Sequence, residues 1–139
     1  MEHRLRGVGV ALITPFDENN NIDFAGLLKL MEFNAENGTD YFVVNGTTGE
    51  SATTTNEEKL ALLDFVKKNN RWNLPIVYGV GSNNTADVIH KLKTTDLSGV
   101  EAVLSVCPYY NKPSQAGITA HFQAIADASP LPVILYNVP

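Results

Sequence analysis

Five short apolar runs at regular intervals constrain this chain more than anything else in it: GVALIT (9–14), DYFVVN (40–45), PIVYGV (75–80), AVLSVC (102–107) and PVILYN (132–137). Each is apolar almost throughout rather than alternating, the pattern of parallel strands covered on both faces. The stretches between them carry helical period. Phe24, Leu27, Leu28, Met31 and Ala35 share one face, with Asp23 placed to cap the first turn and Gly38 to end the helix. Thr55 and Glu58 have capping-box spacing ahead of Leu60, Leu63 and Val66. A third helix is expected from about Asn84 through Val88, Ile89 and Leu92, and a fourth from Ser114 with Ile118, Phe122, Ile125 and Ala126 on its inner face, Gly117 weakening its first turn.

The order is therefore βαβαβαβαβ, with a repeat of roughly 30 residues, the size of a crossover unit. Two α/β architectures fit it: a doubly wound open sheet of five strands, or the first five strands and four helices of a (β/α)8 TIM barrel, which needs about 250 residues. The 139-residue sequence reaches YNVP directly after the fifth run, with no helix to cover that strand, and this favours an incomplete barrel spanning residues 1–139.

Composition narrows the function. Net charge is −5 and the basic residues are dispersed, which argues against a nucleic-acid partner. No run approaches the roughly 20 apolar residues of a membrane span, and the apolar stretch near the start is too short for a signal peptide. Cys107 is the single cysteine, so no internal disulfide and no cysteine zinc site is expected, in keeping with a reducing cytoplasm. His3, His90 and His121 share no ligand-like spacing, so no metal site is expected.

In either architecture ligands bind beyond the C-terminal ends of the strands. Those ends read Thr14-Pro15, Asn45 to Glu50, Gly79-Val80-Gly81, Pro108 to Asn111 and Tyr136-Asn137, rich in hydroxyls and backbone donors and poor in metal ligands. Such a set suits a carboxylate-bearing substrate and proton transfer through hydroxyls. In GTTGE (46–50) the glycines permit a tight turn with exposed N–H groups and the threonines add donors, although the same loop also serves as a plain strand-to-helix turn. Tyr110 and Tyr136 stand at two strand ends. A phenol of pKa about 10 works as acid or base only when a neighbour shares its proton, as a threonine between two phenols would; the alternative is a rim tyrosine with its hydroxyl in water. Tyr109 and Tyr41 are assigned first to packing or contact.

GTTGES (46–51), PYYNKPSQ (108–115) and LYNVP (135–139), in that order and spacing, resemble the dihydrodipicolinate synthase family, and the opening GVGVALITPFDENNNID is similar to that family's first strand. The match covers the whole chain. The resemblance implies a (β/α)8 barrel that condenses pyruvate with aspartate semialdehyde through a Schiff base, without a cofactor, in lysine and diaminopimelate biosynthesis, as a homotetramer built from dimers. It further implies Tyr136 as proton donor and acceptor at the imine, Thr47 as its link to Tyr110, Tyr110 reaching into a neighbouring subunit's site, and Thr48 with the loop amides as the pyruvate carboxylate site. Glu50 is expected to support the loop and to suit the positive end of the next helix.

A Schiff-base enzyme needs a lysine that is neutral near physiological pH. Lys29, Lys59, Lys67, Lys68, Lys91 and Lys93 fall in expected helices, read as solvated faces, and Lys112 in the loop after PYYN. The resemblance puts the nucleophile on a sixth strand, beyond Pro139, so the chain alone is expected to be inactive. It also implies an effector region at Asn56, Lys59, Asn83, Asp87 and Tyr109. Lysine-inhibited members carry histidines and an acidic residue there; Lys59 would repel a cationic effector, so weak or absent lysine inhibition is expected. Two rival functions are an N-acetylneuraminate lyase-like pyruvate aldolase, against which PYYNKPSQ speaks, and a flavodoxin-like or response-regulator module, for which the strand ends lack paired aspartates and GVGS (79–82) is a weak phosphate signal.

Overall fold

The computed structural model describes residues 4–138; His3 and Pro139 lie outside them. Five strands, β1 (Gly9–Ala11), β2 (Tyr41–Val44), β3 (Ile76–Gly79), β4 (Ala102–Val106) and β5 (Val133–Tyr136), alternate with four helices, α1 (Phe24–Glu36), α2 (Asn56–Asn69), α3 (Thr85–Thr94) and α4 (Gln115–Ala128). All strand pairings within the sheet are parallel and the spatial order is β1-β2-β3-β4-β5. This order decides between the two architectures. A doubly wound sheet reverses direction at a switch point, whereas strands laid down strictly in sequence are those of a barrel wall.

The register fixes which side chains share a face. Phe42 pairs with Ile76, Val44 with Tyr78, Tyr78 with Val103 and Val103 with Val133. These residues join one core cluster with Leu27 and Met31 of α1, Leu63 and Val66 of α2, Val88 and Leu92 of α3 and Ile125 of α4. All four helices therefore pack on the same face of the sheet. Parallel pairing puts Val43, Val77, Gly79, Leu104, Val106 and Tyr136 on the other face. At β5 the helix-side face is open: Leu135, which pairs with Ser105, is exposed.

The helix starts obey local chemistry. The Asp23 carboxylate accepts from Gly26 N, Asn84 Oδ1 from Ala86 N and Ser114 Oγ from Gly117 N. At α2 the full box forms: Thr55 Oγ1 accepts from Glu58 N at 3.2 Å while Thr55 N donates to Glu58 Oε2 at 2.7 Å. Gly38 follows α1 with φ +91, the left-handed stop that glycine adopts without strain.

Three core expectations are corrected. On α1 Leu28 is exposed, and the buried residues are Leu27 and Met31. On α2 the buried leucine pair is Leu62 and Leu63, while Leu60 is exposed; on α4 His121 is buried in place of Ala126, which is exposed. Counting back from Leu62, Leu63 and Val66 by helical period reaches Lys59, so this lysine, read from sequence as part of a solvated face, lies on the inward side of α2.

His121 Nδ1 is 2.8 Å from Thr85 Oγ1 across the α3–α4 contact, and its Nε2 has no partner among the described residues. Desolvation lowers its pKa from the usual imidazole value. A depressed histidine pKa means that the unfolded chain takes up a proton that the fold refuses, so stability falls as pH drops from about 6.5 toward the folded-state pKa. Urea midpoints measured between neutral pH and pH 5 should decline more steeply for the native chain than for His121→Gln. Parallel declines would show that His121 titrates alike in both states.

Candidate active site

The site is built around the loop after β2. Asn45 takes the left-handed conformation (φ 59), which asparagine tolerates better than most residues. It turns the chain off the strand and donates from Nδ2 to Gly79 O at 2.8 Å, joining the ends of β2 and β3. A single 3-10 turn follows over Thr47–Gly49 and is closed by Glu50, also left-handed (φ 58), whose N–H donates to Thr47 O at 3.0 Å. Gly49 is buried against the segment that follows β1, where its carbonyl accepts from Thr14 Oγ1 at 2.7 Å. The turn is thus fastened to β3 at one end and to the segment after β1 at the other. Thr47 and Thr48, between the two fastenings, are exposed.

Glu50 supports this loop through its backbone. Its carbonyl accepts from Thr53 N and Thr53 Oγ1, both at 3.0 Å, while the first turn of α2 carries Glu57 and Glu58 as its acidic residues. Glu50 thus supports the loop through its backbone, and it also lines the cavity that opens beyond the strand ends.

Tyr136 ends β5 opposite Val106, and its carbonyl accepts from Cys107 N at 2.9 Å, which holds the two strand ends together. Cys107 is buried, with Sγ 3.6 Å from Asn137 Oδ1. A cavity of about 520 Å³ opens beyond the strand ends, and Thr47 and Tyr136 both line it, with Asn45, Gly46, Gly79 and Gly81 between them. Thr48 and Tyr110 are not among its lining residues. Tyr110 is instead 96% exposed and left-handed (φ 68). A tyrosine in that backbone region is strained by about 1–3 kcal/mol, so the PYYN loop holds this ring away from its own chain at a cost in local energy. Its neighbour Tyr109 does line the cavity, and its N–H donates to Asn83 Oδ1 at 2.7 Å. The packing role first assigned to Tyr109 is thus joined to a place in the cavity wall; Tyr41, by contrast, lies over Gly9, where any Cβ would overlap its ring.

The same cavity extends between α2 and α3, where Asn56, Lys59, Leu60, Asp87 and Lys91 line it. Lys91 Nζ pairs with Asp87 Oδ2 at 2.7 Å, and that hydrogen bond is the main reason the Asp87 carboxyl is held below its ordinary pKa. Lys59 Nζ donates to Thr54 O at 2.7 Å. Desolvation, and then repulsion from Lys91, lowers the Lys59 pKa. Tyr78 also lines this part, and burial pushes its phenol up to about 12, so it stays protonated. Neither the burial of Lys59 nor the presence of Tyr78 was anticipated from sequence. The signal for Lys59 was its helical phase relative to Leu62, Leu63 and Val66.

Among the described residues no group of three or more His, Cys, Asp and Glu side chains is placed to hold a metal, and no helix is long and apolar enough to cross a membrane.

The family model of the dihydrodipicolinate synthetase family matches residues 4–139. The chain belongs to the dihydrodipicolinate synthetase family. Within the family, it is 52% identical over 137 residues to the 4-hydroxy-tetrahydrodipicolinate synthase of Cytophaga hutchinsonii, a match covering 99% of this chain and 46% of that protein. Among solved structures, the dihydrodipicolinate synthase DapA-2 of Bacillus anthracis superposes with a TM-score of 0.89 at 52% identity, covering 95% of this chain and 45% of that one. The Acinetobacter baumannii dihydrodipicolinate synthase, solved in complex with pyruvate, gives a TM-score of 0.91 at 41% identity, over 97% of this chain and 46% of that one. The chain thus spans about half the length of the family members it matches.

Proposed function

We propose that residues 1–139 form the first part of a single (β/α)8 barrel domain, completed by a further segment, and that the complete protein is a 4-hydroxy-tetrahydrodipicolinate synthase. It would condense pyruvate with L-aspartate 4-semialdehyde in the diaminopimelate route to lysine. The observation that carries this reading is the cavity beyond the strand ends, which Thr47 and Tyr136 both line.

The chemistry follows from these groups. A lysine amine, supplied from outside this chain, adds to the pyruvate carbonyl and loses water to form an imine; the derived enamine carbon then forms a bond to the aldehyde carbon. Thr48 and the amides of the fastened turn are proposed to hold the pyruvate carboxylate. Tyr136 gives and takes the proton at the imine, and Thr47 passes it toward Tyr110 of a neighbouring subunit, a role that agrees with the 96% exposure of Tyr110. Such a contribution makes the working unit a homo-oligomer, a tetramer in this proposal. Asn56, Lys59, Asn83, Asp87 and Tyr109 form the proposed effector region, and a cationic amino acid entering it meets the charge of Lys59 while Asp87 is already paired with Lys91, so lysine inhibition should be weak.

The test is a pair of assays on the complete protein, condensation of pyruvate with aspartate semialdehyde and cleavage of sialic acid. Turnover in the first with none in the second supports the proposal; the reverse makes the protein a sugar-acid lyase.

A further inference from the structure

Thr14, in the segment after β1, is buried and is not among the residues that line the cavity. Its Oγ1 donates at 2.7 Å to the carbonyl of Gly49. That carbonyl shares a peptide unit with the N–H of Glu50, which donates at 3.0 Å to the carbonyl of Thr47. A peptide unit is planar, so fixing its oxygen also aims its N–H. Thr14 is thereby joined to Thr47, a cavity residue, through the Gly49–Glu50 peptide. The packing here is close: a Cβ on Gly49 would meet Leu12 O at 3.1 Å and Thr14 Oγ1 at 3.4 Å.

This joint holds a backbone arrangement that the local chain disfavours. Glu50 is left-handed (φ 58), a region uncommon for any residue but glycine. Turning the Gly49–Glu50 peptide over changes ψ of Gly49 and φ of Glu50 and returns Glu50 to negative φ; Gly49, without a Cβ, offers little steric resistance. The turned peptide would leave the buried Thr14 hydroxyl without its acceptor and take the Glu50 N–H away from Thr47. Strained backbone persists where its surroundings over-determine it, and such places cluster at functional sites. We propose that Thr14 is a positioning residue: its hydroxyl holds the Gly49–Glu50 peptide in the strained orientation and so keeps Thr47 where it can pass a proton from Tyr136. This role rests on the proton-relay reading of Thr47.

The test uses the complete protein. Thr14→Val removes the hydroxyl and keeps the shape; Thr14→Ser keeps the hydroxyl. Thr14→Val should lower kcat for condensation and speed hydrogen exchange at the Glu50 amide, each by about tenfold or more, and Thr14→Ser should restore most of both. Thr14→Ala, which leaves room in place of a methyl group, should repeat the pattern and serves if the valine variant does not fold. Glu50→Gly removes the strain, so in that background the loss caused by Thr14→Val should shrink to within about threefold. A bond that only stabilises the fold would lower the urea midpoint and leave kcat alone. That result, unchanged exchange at Glu50, or a loss as large with Gly at position 50 as with Glu would overturn the proposal. A native protein that shows no condensation overturns the catalytic reading and this role with it, whereas native turnover that ignores Thr14→Val overturns this role alone.

Discussion

Tyr136→Phe in the complete protein is expected to lower kcat for condensation by roughly 10²–10⁴-fold, the usual contribution of a positioned general acid or base. The substitution deletes one oxygen and keeps the ring. Tyr136 stands at the end of β5, 36% exposed, and the strand end is held through its backbone carbonyl rather than its phenol. Folding should therefore be little affected, with a urea midpoint near that of the native protein, while the chemical step suffers. A kcat that stays within about threefold of the native value would remove Tyr136 from proton transfer and leave it a rim tyrosine.

Gly79→Ala is expected to cost about 2–5 kcal/mol of stability and to abolish activity with it. A Cβ at Gly79 would overlap the Asn45 carbonyl oxygen and come within 2.7 Å of its carbon and 3.2 Å of Gly46 N. Every one of those atoms is backbone, so no side-chain rotation relieves the contact. Asn45 must move, and its Nδ2 then loses the Gly79 carbonyl that fastens the loop to β3. Gly46→Ala supplies the contrast: its Cβ would meet nothing closer than Val43 Cγ1 at 3.8 Å. That variant should fold with near-native stability. If Gly79→Ala were as stable as Gly46→Ala, the close approach of β2 and β3 would not be what sets the loop.

The five strands were legible in the sequence because parallel strands flanked by packing read as unbroken apolar runs, and the capping residues announced where each helix begins. The strand order was not legible. A doubly wound sheet and a barrel wall share the same βα pattern, and only the successive pairing of β2 with β3 and of β3 with β4 separates them. The motif residues were found, while the grouping of Thr47 with Tyr136 was stated only through the family resemblance. Thr47 and Tyr136 share a cavity, whereas Tyr110 is driven outward by a left-handed backbone that composition does not reveal. On α2 the leucines at 60 and 63 satisfy helical spacing as well as those at 62 and 63 do, and spacing alone does not tell that Leu62 is buried while Leu60 borders the cavity. Lys59 was misread for the same reason, since a lysine in a helix reads as solvent-facing until the phase of its neighbours is known.

The measurement that bears most directly on the proposed activity is peptide mapping by mass spectrometry after incubation of the complete protein with pyruvate and borohydride, which reduces an imine to a stable adduct. A single pyruvate adduct on a lysine outside residues 1–139, formed far more slowly when Tyr136 is Phe, is the predicted result. No adduct at all, or an adduct on Lys59 or another lysine of this chain, would contradict it.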